Sequence, residues 1–147
     1  MFGRWMLSIF LLMAFIAAVR TKGTNIEFTV DLVCERSLVY PTGAWCFQLK
    51  MMEMDITNHD RLGQVAWDCT YEKKVTRTIT GFESDDGLGD LNIEVKVFAN
   101  STCKYNDKKT QLETKEYYYN TFHWPWEGHN KVKEYAKFDF NKEEVTY

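Results

Sequence analysis

Between Ile26 and Leu32 the even positions Ile26, Phe28, Val30 and Leu32 are apolar, and Glu27, Thr29 and Asp31 between them are polar. That is the period of a strand with one buried face. Pro41-Thr42-Gly43 punctuates the chain, and in the run that follows Trp45, Phe47, Leu49 and Met51 share a face opposite Gln48 and Lys50. The two runs predict an antiparallel pair. After the polar, turn-rich segment 55–63, Val65, Trp67 and Cys69 alternate with Gln64, Ala66 and Asp68 as a third strand. Val75 and Ile79 mark a fourth, with Thr76, Thr78 and Thr80 on its solvent side and Gly81 closing it.

The clearest alternation comes next: Leu91, Ile93, Val95 and Val97 against Asn92, Glu94 and Lys96. A polar loop after Cys103 leads to an aromatic strand over 117–122 and then to Ala136, Phe138 and Phe140 alternating with Lys137 and Asp139. Past residue 25 no segment sustains helical spacing over a helix's length. Seven or eight short strands, each with one apolar face, predict an all-β, two-sheet β-sandwich, because two such faces must meet. The domain is expected over residues 25–141, with 142–147 a loose tail.

The amino-terminal region has a different pattern. Arg4 precedes an apolar run from Trp5 to Val19 that ends near the small residues Ala17 and Ala18. These are the three parts of a cleavable secretory signal, expected over 1–20. The run falls short of the ~20 apolar residues that span a bilayer, and Arg20 and Lys22 follow it directly. The expectation is an exported, extracellular protein without a transmembrane helix.

Composition agrees with a packed domain. The chain is 45% hydrophobic and 16% aromatic with two prolines, too apolar for disorder. A net charge of −3 offers no electrostatic footprint for nucleic acid. Export changes the reading of Cys34, Cys46, Cys69 and Cys103: in an oxidising compartment four cysteines form two disulfides, with three possible connectivities. No C-x-x-C is present, and His59, His123 and His129 do not cluster with cysteines in a zinc pattern. No metal site or cofactor is expected.

Three further features are candidate chemistry. Asn100-Ser101-Thr102 is an acceptor sequon, placing an N-linked glycan at a strand end. Glu83, Asp85, Asp86 and Asp90 gather carboxylates around Gly87 and Gly89, a set that can hold calcium but lacks EF-hand spacing and reads as a solvated turn. His123-Trp124-Pro125-Trp126-Glu127-Gly128-His129 puts His123, Trp124, Trp126 and His129 in a loop, where aromatic side chains serve either as anchors of a recognition surface or as a plug on the core.

The strand Phe47 to Met51 running on to Glu53-Met54-Asp55, the opening strand ending Asp31-Leu32-Val33-Cys34, the His59-Asp60-Arg61-Leu62 loop, Ile79-Thr80-Gly81, and Val95 to Phe98 leading to Cys103 together resemble the nematode transthyretin-like family of secreted proteins. The resemblance implies a transthyretin (prealbumin)-like sandwich. It also implies a pairing of Cys34 with Cys103, leaving Cys46 for Cys69. The alternative fold is an immunoglobulin-like sandwich, because Cys34, Trp45 and Cys103 have about the required Cys, Trp, Cys spacing, although Ser101 stands where that fold places tyrosine.

The transthyretin fold also carries a hydrolase of 5-hydroxyisourate, but its Tyr-Arg-Gly-Ser signature has no counterpart in Glu143-Glu144-Val145-Thr146-Tyr147. No serine or cysteine nucleophile is recognisable beside a histidine, so no catalytic residue and no enzyme are expected. The expected function is an extracellular binding or signalling module that recognises a protein, a lipid head group or a small apolar ligand through loops. The alternative is a structural component of a matrix or surface coat.

Overall fold

The computed structural model describes residues 23–35, 43–54, 59–83, 92–103, 109–120 and 130–147. The expected signal, residues 1–20, lies outside them. Among the described residues nine strands follow one another: β1 (Thr24–Val33), β2 (Trp45–Glu53), β3 (Arg61–Thr70), β4 (Lys74–Glu83), β5 (Asn92–Ser101), β6 (Thr110–Glu113), β7 (Tyr117–Asn120), β8 (Asn130–Asp139) and β9 (Glu144–Thr146). Sheet A has the order β4-β1-β8-β9 and sheet B the order β3-β2-β5-β6, with β7 also on β5. The expected two-sheet β-sandwich is the fold.

The apolar faces read from the sequence line its interior. Ile26, Phe28, Val30 and Leu32 of β1 meet Trp45, Phe47, Leu49 and Met51 of β2, all at most 1% exposed, with Val95, Val97 and Phe138 fully buried around them. Burying each such large side chain contributes roughly 1.5–3 kcal/mol, so this layer dominates the folding energy.

Several expectations are corrected. β1 and β2 do not pair: β1 lies between β4 (antiparallel) and β8 (parallel), and β2 lies in the other sheet between β3 and β5. Both have a fully apolar inner face, so they face each other across the core instead of sharing a ladder. What departs from an immunoglobulin-like sandwich, whose two sheets are antiparallel, is the parallel pairing of β1 with β8.

Val65, Trp67 and Cys69 do not share a face either. The ladder passes from Phe47↔Asp68 to Leu49↔Val65, so β3 has one residue more than β2 at this point. This β-bulge turns Val65 inward and leaves Trp67 (41% exposed) and Cys69 on the outside. Asp68 now shares the core side with Phe47. It accepts a 2.7 Å bond from Arg77 of β4, whose guanidinium lies 5.3 Å from the Phe47 ring centre, so an ion pair closes the sandwich where β3 and β4 converge. At the same edge a Cβ on Gly63 would run into the Thr80 carbonyl.

The expected loose tail is folded. Asp139 Oδ1 accepts from the backbone N–H of Asn141 (3.1 Å) and Lys142 (3.2 Å), which caps a turn into β9, and β9 pairs with β8. Tyr147 crosses to sheet B, where its hydroxyl accepts from Lys115 N (2.6 Å) and the Lys115 ammonium sits 4.9 Å from its ring centre. The strands β6 and β7 form one edge interrupted at Thr114. There the Thr114 hydroxyl accepts from Val97 N (3.1 Å), and the Thr114 N–H donates to the Val97 carbonyl (3.0 Å).

On the outer face of sheet A, Asp31 is 7% exposed and accepts bonds from both neighbouring strands: Thr76 Oγ1 at 2.6 Å, Tyr135 OH at 2.7 Å and Lys74 Nζ at 2.6 Å. Burial works to raise its carboxyl, but the bonds from Lys74, Thr76 and Tyr135 and the Lys74 charge outweigh it and hold the group below its usual value. A depressed carboxylate stabilises the fold above its unfolded-state pKa, and the contribution is lost as pH falls through the folded value. Asp31→Asn is therefore expected to cost about 1–3 kcal/mol at neutral pH. Denaturant titrations from pH 7 downward should show that difference shrinking only below the ordinary aspartate range; a constant difference down to pH 2 would contradict it.

Candidate functional site

The strand registers give the sandwich two unlike poles. At one pole lie Val33, Trp45, Thr70, Lys74, Ser101 and Asp139; at the other, Thr24, Glu53, Arg61, Glu83, Asn92, Asn120 and Asn130. All four cysteines belong to the first.

Cys34, at the end of β1, is joined to Cys103, just past β5, with 5.7 Å between Cα atoms, so this disulfide ties sheet A to sheet B. Both residues are buried. Cys46 and Cys69 are joined across β2 and β3 with Cα atoms 4.0 Å apart, within sheet B and on its outer face. These are the pairs the family resemblance implies. Closing loops of 69 and 23 residues is worth about 4 and 3 kcal/mol in chain entropy.

Trp45 seals this pole. It is 1% exposed, its indole N–H donates to the Glu72 carbonyl at 2.7 Å, and its ring lies 5.4 Å from Phe47 and 6.1 Å from Phe140. Cross-strand bonds complete the lock: Thr102 N to the Cys46 carbonyl (2.9 Å), Cys46 N to the Thr102 hydroxyl (3.0 Å), Cys34 N to the Lys73 carbonyl (2.8 Å) and Phe140 N to the Val33 carbonyl (3.0 Å).

The opposite pole anchors the connections that hold the other candidates. Residues 84–91 join Glu83 to Asn92, and residues 121–129 join Asn120 to Asn130, so the acidic and the aromatic segments start and end at one pole. Asp85, Asp86, Asp90, His123, Trp124, Trp126 and His129 themselves lie outside the described residues. His59 is described, and it is exposed at the entry to β3. Among the described residues no three His, Cys, Asp or Glu side chains converge as metal ligands, and no helix is long and apolar enough to cross a membrane.

Between the sheets, towards this pole, is a polar cluster absent from the sequence reading. Tyr117 stands edge-on to Phe28 at 5.1 Å and is stacked with Tyr119 at 6.3 Å. Burial pushes the Tyr117 phenol up to about 12, assisted by Glu134 and Tyr147, and the same desolvation beside Glu134 pushes Tyr119 higher still. Glu134 follows the inward parity of Val132, Ala136 and Phe138 on β8. An acid on the apolar period of a strand was the sequence signal for this cluster. Among the described residues the Tyr119 hydroxyl and Thr24 Oγ1 are buried without a hydrogen bond of good geometry.

The sequon lies elsewhere. Asn100 is the penultimate residue of β5, on the outer face of sheet B between Gln48 and Gln111. Ser101 is fully buried, and its hydroxyl accepts from Cys103 N at 3.0 Å. On the outer face of sheet A a shallow groove of about 280 Å³ is lined by Asn25, Glu27, Thr80 and Lys131. No protein-family model matches the chain, and no curated protein shows significant similarity to it.

The two disulfides differ in access, and access governs attack by a thiolate. Cys69 is exposed and Cys46 half-buried, whereas Cys34 is 1% and Cys103 5% exposed. Limited reduction followed by alkylation is expected to label Cys46 and Cys69 in the folded protein and Cys34 and Cys103 only after denaturation; equal labelling rates would contradict the geometry. Tyr119→Phe removes a buried hydroxyl that lies near Glu134 but makes no hydrogen bond of good geometry among the described residues, so unfolding measurements should find it neutral or stabilising by up to about 1 kcal/mol. A loss of stability would show that the hydroxyl has a partner.

Proposed function

We propose that the chain is an exported binding module of the transthyretin-like kind, and that it meets an extracellular partner with the loops opposite its disulfides. The observation that carries this reading is the division of labour between the poles. Two disulfides and a buried tryptophan fix one end, and the acidic segment 83–90 and the aromatic segment 123–129 are both anchored at the other. A rigid sandwich that holds loops at one end is how β-sandwich binders present recognition residues. Trp124 and Trp126 are the anchors, since a tryptophan buries a large area at little entropic cost, and His123 and His129 flank them. Two disulfides in a small domain are compatible with an oxidising destination, which supports export directed by residues 1–20. The Cys34–Cys103 pairing supports the family assignment. The partner is an extracellular protein, a lipid head group or a small apolar ligand.

Expression in secretory cells should release a chain whose amino terminus lies near residue 20, measured by mass spectrometry. Immobilised, this chain should retain a partner from extracellular fluid, or phospholipid vesicles, in a saturable manner. The double change Trp124→Ala and Trp126→Ala is expected to weaken that binding about tenfold or more without lowering the melting temperature. A dispersed, non-saturable background would favour the matrix or surface-coat role instead.

A further inference from the structure

The outer faces of the two sheets are unlike. That of sheet A is saturated with ionic contacts: Asp31 has three donors, and Glu27 lies between Lys133 (3.1 Å) and Lys131 (3.6 Å), which hold its carboxyl below the usual range. That of sheet B has an ion pair, Lys96–Glu113 at 3.7 Å, and beside it an aromatic side chain. Along β5, Ile93, Val95, Val97, Ala99 and Ser101 are buried, so Glu94, Lys96, Phe98 and Asn100 form the outward row. Phe98 is half-buried there, and it is not packed against the core. Asn100 is the next outward residue, about 6–7 Å along the strand by the rise of a β-strand. In the flanking strands Gln48 and Gln111 lie opposite Asn100, and Lys50 and Glu113 lie opposite Phe98.

We propose that Asn100 carries an N-linked glycan whose first sugar lies against the Phe98 ring, so that the outer face of sheet B is covered by the protein's own carbohydrate. The inference rests on the export reading above. One face of an N-acetylglucosamine ring presents only C–H bonds, and the negative face of an aromatic ring attracts such partly positive hydrogens. A sugar fixed to Asn100 has its apolar face within reach of Phe98. Its hydroxyl and acetamido groups meet the amides of Gln48 and Gln111, which both donate and accept. The glycan then occupies the face between the poles and leaves the loop pole as the open recognition surface.

The same residues fix when the sugar is added. In the folded chain the Thr102 hydroxyl accepts from Cys46 N at 3.0 Å, and the sequon is held extended against β2. Transfer therefore precedes pairing of β2 with β5. In that step the Asn100 side-chain nitrogen forms a bond to the anomeric carbon of an oligosaccharide carried on a lipid diphosphate. The bond from that carbon to the phosphate oxygen breaks, the lipid diphosphate leaves with the electron pair, and the amide nitrogen loses one proton.

The test is to express the full chain in secretory cells and compare its mass and melting temperature before and after an amidase that removes N-glycans and converts Asn100 to aspartate. The expected result is a removable mass that Asn100→Gln abolishes. The glycan should raise the melting temperature by about 2–4 °C, and that increment should vanish in Phe98→Ala and in Phe98→Leu, the second variant keeping apolar bulk should the first fail to fold. An exported chain with no sugar on Asn100 overturns the inference and leaves the export reading standing. A glycosylated chain whose increment survives in both Phe98 variants overturns it as well. A chain kept inside the cell with residues 1–20 uncut overturns the export reading and the inference together.

Discussion

One covalent bond sets the frame for the rest of the molecule: the disulfide between Cys34 and Cys103, which fastens the residue just after the core strand of one sheet to the chain just past the central strand of the other. A sandwich is held chiefly by non-directional burial of two apolar faces, which fixes the distance between sheets better than their alignment. The bond pins that alignment at one end. Trp45 then fills the space beside it, with its only polar atom satisfied by the Glu72 carbonyl. The fixed end leaves the opposite pole as the one from which the connections 84–91 and 121–129 start and to which they return.

The closure of the sides follows a different logic. Where β3 meets β4, the backbones approach so closely that glycine is required at position 63, and the Arg77–Asp68 pair over Phe47 occupies the gap. On the other side the strap is Tyr147, just past β9, whose ring lies against the Lys115 ammonium. Both sides use a cation on an aromatic face, a contact that tolerates partial solvent better than an aliphatic seam.

How much of this was legible in the sequence depended on how strictly each strand keeps its period. β1, β2 and β5 alternate without interruption because their inner faces are wholly buried, and these were read correctly. β3 misled because one extra residue flips its parity between Val65 and Asp68, which no pattern count detects when Trp67 and Cys69 look equally suited to a core. β6 and β9 went unrecognised because each has a single apolar residue, Leu112 or Val145, and draws its stability from a neighbouring ladder. For the candidate site, the composition of the acidic and aromatic segments was legible, but their common anchorage at one pole was not. It arises from strand direction and sheet order, which depend on long-range pairing. Glu134 was legible in principle, as an acid on the inward period of β8.

The parallel pairing of β1 with β8 has a consequence for the order in which the molecule can be made. The first strand of the domain lies between β4 and β8, the second of which begins only at Asn130. A chain emerging from its amino terminus therefore holds a half-paired, strongly apolar strand until β8, residues Asn130–Asp139, appears. Contacts of such large sequence separation make folding slow, and an open edge of this kind is a template for pairing between chains. The protein's most vulnerable moment is thus a property of its topology, and it passes only once β8 has been made.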